Sequence, residues 1–379
     1  MSHFPGLASG LEALEQRARL RALSCPAGRD FASNDYLGLA GSALLADAAR
    51  DGLARGLPLG AGASRLLRGN HGEHEALEAE AARFFGTQAA LFLGGGFQAN
   101  LAILSCLPRA GDLVLHDALV HASSHDGIRL GRATARPFRH NCPQSLREAA
   151  LAWRHSGAKG RLWIAVESLY SMEGDFAPLV DFARIATEFD AVLIVDEAHA
   201  TGLYGPDGRG LGYALYQIAD LALISLHTCG KALGASGALI TADRLVIDTL
   251  INRARPFIYA TAPSPLMAGV VRAALRALQD QPQLMARATA LREHANEQAV
   301  RICGLSPSGS QILPFPVGCD QRALQLSAQL REAGFDLRAI RPPTVPKGAA
   351  RLRISISGGV SSDDITELFT TLSRLQELT

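Results

Sequence analysis

The sequence has no marked excess of charge and no long hydrophobic run. Its 379 residues include 37 Lys and Arg against 36 Asp and Glu, so the net charge is only +1. Such a chain offers no global electric field for nucleic acid or for an acidic membrane surface. No stretch approaches the roughly 18 apolar residues of a membrane-spanning helix, and the charged amphipathic segment 1–21 has no apolar signal core. We therefore expect a soluble protein without nucleic-acid or membrane partners.

Closely spaced cysteines are also absent. The six cysteines are scattered, with no Cys-x-x-Cys pair, at Cys25, Cys106, Cys142, Cys229, Cys303 and Cys319. This spacing disfavours a zinc site and a secreted disulfide framework, and it fits the reducing cytoplasm. No internal repeat or low-complexity tract interrupts the chain, which is long enough for two or three structural units.

Short apolar runs alternate with helical patterns through the middle of the chain. This alternation predicts an α/β fold with a parallel or mostly parallel sheet, covered by helices on both faces. The predicted strands are 89–93, 113–116, 162–166, 192–196, 222–225 and 238–240. In such a sheet, ligands bind outside the carboxyl ends of the strands.

Three ranges organise the chain. An N-terminal helix and a turn-rich connecting segment occupy 1–41, and a large domain follows over 42–264. Pro263 and Pro265 disfavour continuous helix and mark a boundary. A long amphipathic helix then opens a smaller α+β domain over 265–379. The predicted strands of this domain are 311–317 and 351–356.

One lysine stands directly after a predicted core strand. The apolar run 223–226 ends in a loop of small residues, where Lys231 lies between Gly230 and Gly234. Burying a lysine amine is costly, so this position needs a partner or a chemical purpose. An imine with pyridoxal phosphate would supply the purpose, and the glycines would give clearance for a flat ring. A solvated loop lysine is the alternative, and it is the more frequent case for an isolated Gly-Lys pair.

Two further strand ends carry groups that suit the same cofactor. Asp196 follows the buried run 191–195, where a carboxylate could keep a pyridine nitrogen protonated. A helix cap is one alternative. A metal site is another, because Glu197 lies next to Asp196. The glycine-rich turn 94–96 opens a helix, so its exposed amides could bind a phosphate. A tight strand-to-helix turn is the alternative there.

Three other residues are weaker candidates. His121 and Ser171 follow predicted strands, where an imidazole could stack on a planar ring and a serine could line the same pocket. Each could equally be an ordinary loop or turn residue. Arg353 shares one face of a predicted strand with Arg351, and its guanidinium could clamp the carboxylate of an amino acid. Solvated edge-strand arginines are the alternative.

Five stretches together resemble a known family, the α-oxoamine synthases. They are Gly96-Phe97, His121, 171–175, 196–202 and 228–234, in this order and spacing. Members are fold-type I pyridoxal-phosphate enzymes that condense an amino acid with an acyl thioester and release CO₂. The resemblance runs from Ser33 almost to the C-terminus. It implies a large domain with a mostly parallel sheet, a smaller α+β C-terminal domain, pyridoxal 5'-phosphate as cofactor, and a homodimer with shared active sites.

Within the family, segments 323–326, 339–346 and 350–353 are most similar to the branch that uses L-alanine and a pimeloyl thioester. The thioester would be carried on coenzyme A or on a carrier protein. Another α-oxoamine synthase that uses glycine or serine, a simple aminotransferase, and a non-catalytic partner subunit are alternatives. A non-catalytic subunit would be expected to lack Lys231.

The resemblance implies a role for each matching position. The catalytic positions are Lys231 as the Schiff-base lysine, His121 as the imidazole stacked on the ring, and Asp196 as the partner of the ring nitrogen. The other cofactor positions are Gly96, Phe97, Ser171, His199, Thr228 and Thr261, the last reaching the neighbouring subunit. The substrate positions are Arg21, Asn34, Thr344 and Arg353. No metal ligand is implied.

The chain departs from the family pattern at three places. Segment 25–31 is shorter than usual and lacks the small β-hairpin that precedes 33–36. Residues 262–265 differ from the usual Ser-x-Pro-Pro. Cys229 stands where a larger apolar residue is common, and we interpret it as a packing residue beside the lysine rather than as a nucleophile.

Overall fold

The computed structural model describes residues 3–377, and within that range the chain forms two compact units. The large unit comprises Leu37–Ser171 and Phe176–Ala286. The small unit comprises the described residues up to Tyr36, Met172–Asp175, and the described residues from Arg287 onward. The division into three domains stays a prediction.

Strands and helices alternate through most of the large unit, and the elements of both units are numbered together in chain order. The strands are β1 (Arg29–Asp30), β2 (Ala89–Leu93), β3 (Leu113–Asp117), β4 (Thr134–Phe138), β5 (Leu162–Glu167), β6 (Val192–Asp196), β7 (Ala222–Thr228), β8 (Ala238–Ala242), β9 (Ile312–Gly318), β10 (Phe335–Asp336), β11 (Arg338–Ile340) and β12 (Ala350–Ser355). The helices are α1 (Pro5–Gln16), α2 (Ala43–Ala54), α3 (Gly72–Phe85), α4 (Gly96–Cys106), α5 (Ala122–Leu130), α6 (Pro143–His155), α7 (Leu179–Glu188), α8 (Arg244–Arg253), α9 (Arg255–Ile258), α10 (Pro265–Asp280), α11 (Gln283–Cys303), α12 (Asp320–Glu332) and α13 (Ser362–Glu377).

Seven strands form the central sheet of the large unit, in the order β2-β8-β7-β6-β5-β3-β4. Strand β8 is antiparallel to both of its neighbours, whereas the other neighbouring pairs are parallel. Strands β2, β3, β5, β6 and β8 are buried at every position. Burial on both faces explains why these strands are continuous apolar runs. The predicted mostly parallel sheet is confirmed.

Alternate side chains of each central strand enter two different cores. On β6, Ile194 packs into the core that α4 and α8 cover, together with Ile103. Its neighbour Leu193 packs into the core that α6 and α7 cover, together with Phe182. Because side chains alternate along a strand, one apolar run supplies both layers. The functional side chains are therefore left to the strand ends.

The sequence patterns missed the edge strand β4. This strand contains Arg136 and Pro137 and is exposed at most positions, so it has no buried apolar run. It pairs with β3 at the end of the sheet, where a proline is tolerated because one side needs no ladder partner. The six predicted strands of the large unit are all present, with ends within three residues of the predicted ones.

The small unit contains a three-stranded antiparallel sheet in the order β11-β12-β9 and a parallel pair, β1 and β10. Predicted strands 311–317 and 351–356 correspond to β9 and β12, each displaced by one residue. A separate apolar core joins this sheet to the surrounding helices through side chains such as Phe315, Leu352 and Phe369. Within residues 3–377, no helix is both long enough and apolar enough to cross a membrane.

Candidate active site

The carboxyl ends of the parallel strands of the large unit surround a cavity of about 320 Å³. Most of the cofactor residues predicted from the sequence line it. They are Gly96, Phe97, His121, Asp196, His199, Thr228 and Lys231. These residues follow four different strands, and they meet because parallel strands place their carboxyl ends at one edge of the sheet.

Lys231 is held in a short loop between β7 and β8. Cys229 N–H donates to the Gly237 carbonyl at 2.9 Å, and Gly234 N–H donates to the Lys231 carbonyl at 2.9 Å. The Lys231 Nζ lies 2.8 Å from His199 Nε2. The lysine is half-buried in the pocket wall, so its amine is oriented by an imidazole rather than extended into solvent. The solvated-loop alternative does not describe this side chain.

Asp196 is the most firmly held acid of the pocket. It is 8% exposed at the end of β6. Its Oδ2 accepts a hydrogen bond from Asn100 Nδ2 at 2.8 Å, and its Oδ1 accepts one from Ala198 N–H at 3.0 Å. Hydrogen bonds to both oxygens fix the orientation of this side chain. Asn100 was missed in the sequence because it lies inside α4, 96 positions from its partner.

His121 is the N-cap residue of α5. Its Nδ1 accepts a hydrogen bond from Ser123 N–H at 3.2 Å and lies 2.8 Å from Ser123 Oγ. Burial lowers the pKa of His121, and the positive charge of Lys231 adds to this effect, whereas Asp196 opposes it. The imidazole is therefore neutral near pH 7, with its ring fixed by the cap.

At Gly96, the glycine-rich turn contacts the end of β7 so closely that no side chain fits. A Cβ at Gly96 would lie 2.5 Å from Thr228 Cγ2. Gly95 is the N-cap of α4, and this turn presents the first amides of the helix beside the pocket. A helix N-terminus with a close backbone approach suits a phosphate group. Phe97 is half-exposed at the rim.

Glu167 also lines the pocket, and sequence reasoning missed it. It ends β5 directly beside Asp196, and it is 3% exposed. The pattern that singled out Asp196, a carboxylate after a buried apolar run, also applies here. The predicted strand stopped at Val166, one residue too early, so Glu167 was assigned to the following turn.

Two predicted cofactor residues are not part of the pocket lining. Ser171 is half-buried, and its N–H donates to Glu167 Oε2 at 3.3 Å. Thr261 is exposed in the segment that follows α9. Their predicted roles toward the cofactor stay predictions.

The predicted substrate residues lie in the small unit. Arg353 is 7% exposed, and its Nη2 donates to Asn34 Oδ1 at 3.0 Å and to the Tyr36 hydroxyl at 3.4 Å. Asn34 and Arg353, predicted to receive the same carboxylate, are thus direct neighbours. Arg21 and Thr344 are exposed, and their roles stay predictions.

Three neighbours of the site have structural tasks. The Glu197 carboxylate accepts hydrogen bonds from Ser168 Oγ at 2.6 Å and from Leu211 N–H at 3.1 Å. It is therefore not available to bind a ligand together with Asp196. Cys229 is fully buried, and burial raises its pKa, as expected of a packing residue. Gly234 was expected to give clearance for a ring. Instead it has a φ of +62°, and a Cβ there would lie 2.4 Å from Ala40 N.

The fold and the site define the class of protein. The family model for aminotransferases of class I and II matches residues 28–372, and the chain belongs to this family. The predicted fold class, a fold-type I pyridoxal-phosphate-dependent transferase, is confirmed by this match and by the solved structures below.

Relatives with similar sequences indicate which members of this class the chain resembles most. The chain is 42% identical to 8-amino-7-oxononanoate synthase from Chromobacterium violaceum over 364 residues, which is 93% of each chain. It is 42% identical to the enzyme of the same name from Methylobacterium nodulans, over 91% of this chain and 86% of the relative.

Two solved structures have the same fold over nearly the whole chain. One is 8-amino-7-oxononanoate synthase from Francisella tularensis, with a TM-score of 0.79, 28% identity, and coverage of 93% of this chain and 98% of that one. The other is serine palmitoyltransferase from Sphingomonas wittichii, with a TM-score of 0.87, 25% identity, and coverage of 100% and 98%. The resemblance to the α-oxoamine synthases is confirmed.

Proposed function

We propose that this chain is a pyridoxal-phosphate-dependent acyltransferase that condenses L-alanine with a pimeloyl thioester. The products are 8-amino-7-oxononanoate, CO₂ and the free thiol, a step of biotin biosynthesis. The observation that carries the proposal is the identity of about 40% to synthases of this name over most of both chains. The pocket contains the lysine, carboxylate and imidazole that this chemistry requires.

The pocket fits the cofactor in charge and in shape. Lys231 supplies the amine that attaches it, and Asp196 supplies the carboxylate for its ring nitrogen. Gly96 and Thr228 form a cradle that a Cβ would fill, beside the amides that suit a phosphate. Bound there, the cofactor supplies an electron sink for the bonds around the amino-acid Cα.

Individual residues of the chain have separate roles in proton transfer and in binding charged groups. With its amine free, Lys231 would be the base positioned to take the Cα proton of the amino acid. His199, 2.8 Å from Nζ, keeps that amine in place. Asp196, oriented by two hydrogen bonds, would accept a hydrogen bond from the protonated ring nitrogen. Arg353, with Asn34 beside it, receives the substrate carboxylate through a charge-assisted bond.

A matrix of substrates tests the proposal. Purified enzyme loaded with cofactor would be assayed with alanine, glycine and serine against acetyl-, succinyl-, palmitoyl- and pimeloyl-CoA, measuring free thiol and CO₂. We expect turnover to be greatest for alanine with pimeloyl-CoA. Preference for serine with palmitoyl-CoA would instead favour the activity named for the Sphingomonas wittichii relative, which has the higher TM-score of the two structures. Pimeloyl-carrier protein in a parallel assay distinguishes the two acyl carriers.

The assembly and location are part of the same proposal. A homodimer with shared sites gives exposed Thr261 a role that its own pocket does not offer. All six cysteines are free thiols in the structure, which suits the reducing cytoplasm. We place the enzyme there, with no nucleic-acid or membrane partner.

A further inference from the structure

Glu167 is a buried acid in the cofactor pocket that the proposed chemistry does not use. It ends β5, and its Cα is paired in register with that of Asp196 at the end of β6. Both side chains are less than 10% exposed and line the same cavity. Two carboxylates at neighbouring strand ends repel each other strongly in a low-dielectric pocket, so one of them retains its proton.

Hydrogen bonding indicates which acid keeps the proton. Asp196 receives donors on both oxygens, from Asn100 and Ala198. Ser171 N–H donates to Glu167 Oε2 at the long distance of 3.3 Å, and the backbone N–H of His121 also favours the charged form, whereas Oε1 has no partner within hydrogen-bond distance among the described residues. The charge is therefore better supported on Asp196. Burial, and then the charge of Asp196, hold the pKa of Glu167 well above its usual range, although Lys231 opposes them.

An unpartnered buried polar oxygen normally marks a missing partner, since burying it without one costs free energy. We propose that Glu167 is a further cofactor-binding residue, a neutral carboxylic acid that donates a hydrogen bond from the pocket wall to the bound pyridoxal phosphate. This proposal rests on the proposed cofactor, and it leaves Asp196 as the single anion of the pair. The other ionisable groups around Glu167 are Lys231 after β7, His121 before α5 and Tyr170 after β5.

Cofactor affinity and the absorption spectrum of the bound cofactor test the proposal without an activity assay. Glu167→Gln keeps a neutral donor of the same shape, whereas Glu167→Met removes the donor. We expect the Gln variant to bind pyridoxal phosphate within about threefold of the unmodified protein, and the Met variant to bind about tenfold more weakly, the loss of one hydrogen bond. The Gln variant should also keep the pH midpoint of the cofactor absorption, because no charge is lost.

Glu197→Gln is the matched control, since Glu197 is equally buried but bonds to Ser168 and Leu211 outside the pocket lining. It should leave cofactor affinity unchanged. The proposal is overturned if Glu167→Met binds the cofactor as the unmodified protein does. It is also overturned if Glu167→Gln shifts the midpoint by about one pH unit, as removal of an anion would. If Glu167→Met does not fold, the pH midpoint of the cofactor absorption in Glu167→Gln still tests the proposal. Unmodified protein that binds no cofactor would refute the proposed function itself.

Discussion

At the scale of single residues, Lys231, Asp196 and His121 of the pocket each have specific neighbours that orient them. Lys231 Nζ lies 2.8 Å from the His199 imidazole, and Asp196 is oriented by an amide side chain and a backbone N–H. His121 is kept neutral by burial. An unpaired charge in such a site would cost several kcal/mol.

Lys231 gives the most direct test at this scale. The chain has just three lysines, Lys159, Lys231 and Lys347, so the covalent attachment point can be located without ambiguity. Borohydride reduction of the loaded enzyme followed by peptide mass analysis should label Lys231 alone. Lys231→Ala should keep the fold and lose at least about a hundredfold in turnover, because the proposed base is gone.

Lys159→Ala is the control, since Lys159 is an exposed loop residue. It should retain both label and activity. Full activity in Lys231→Ala would contradict the assignment of the base and of the cofactor attachment.

At the scale of elements, the turn between β2 and α4 is set by two adjacent glycines with different surroundings. A Cβ at Gly96 would lie 2.5 Å from Thr228 Cγ2, whereas a Cβ at Gly95 would have nothing within 4 Å. We expect Gly96→Ala to lower the free energy of unfolding of the cofactor-free protein by about 1–3 kcal/mol, as overpacking does. Gly95→Ala, whose backbone is extended, should change it far less. Urea denaturation compares them, and equal losses would show that the contact with Thr228 is not the cause.

An ion cluster fixes α10 on α3 in the large unit. Arg272 Nη1 donates to Glu73 Oε2 at 2.6 Å and Arg272 Nε to Glu80 Oε2 at 3.1 Å, and all three side chains are at most 20% exposed. Burial alone would raise the pKa of Glu73 and of Glu80, but the bonds to arginines outweigh it and lower both. Carboxylates with lowered pKa contribute stability above their unfolded pKa, and that contribution is lost as pH falls through the folded value.

Arg272→Met should therefore cost about 1.5–3 kcal/mol of unfolding free energy at pH 7, the range for hydrogen bonds to charged groups. The difference from the unmodified protein should shrink below about pH 4, where the acids protonate. Arg184→Met, which removes an exposed pair with Asp181, should cost no more than about 0.5 kcal/mol. A loss that is the same at pH 3 and pH 7 would point to packing rather than charge.

Element prediction succeeded where a pattern was local. The strands β2, β3, β5, β6, β7 and β8 were found because each is a short apolar run. Strand β4 was not, since Arg136 and Pro137 resemble a loop, and its strand conformation depends on pairing with β3. The end of β5 was set one residue early, and that single residue hid Glu167.

At the scale of the whole molecule, the proposed homodimer predicts a particle of twice the 40.1-kDa chain mass in light scattering. Thr261 is exposed and lies outside the lining of the pocket of its own chain. If it reaches the cofactor phosphate of a second copy, Thr261→Ala should weaken cofactor binding several-fold while leaving the dimer intact. Thr370→Ala, which changes an exposed threonine on α13, is the control. A monomer in solution would contradict the shared site.

The sequence by itself determined the α/β class and the strand-end positions of Lys231, Asp196 and His121. Apolar runs, glycine turns and their spacing are local, so they can be read without knowing which strands are neighbours. The tertiary structure decided which groups meet. The bond from His199 to Lys231 joins residues 32 positions apart, and the bond from Asn100 to Asp196 joins residues 96 apart. The pairing of Glu167 with Asp196 likewise depends on strand order, because only the folded sheet places those two strand ends side by side.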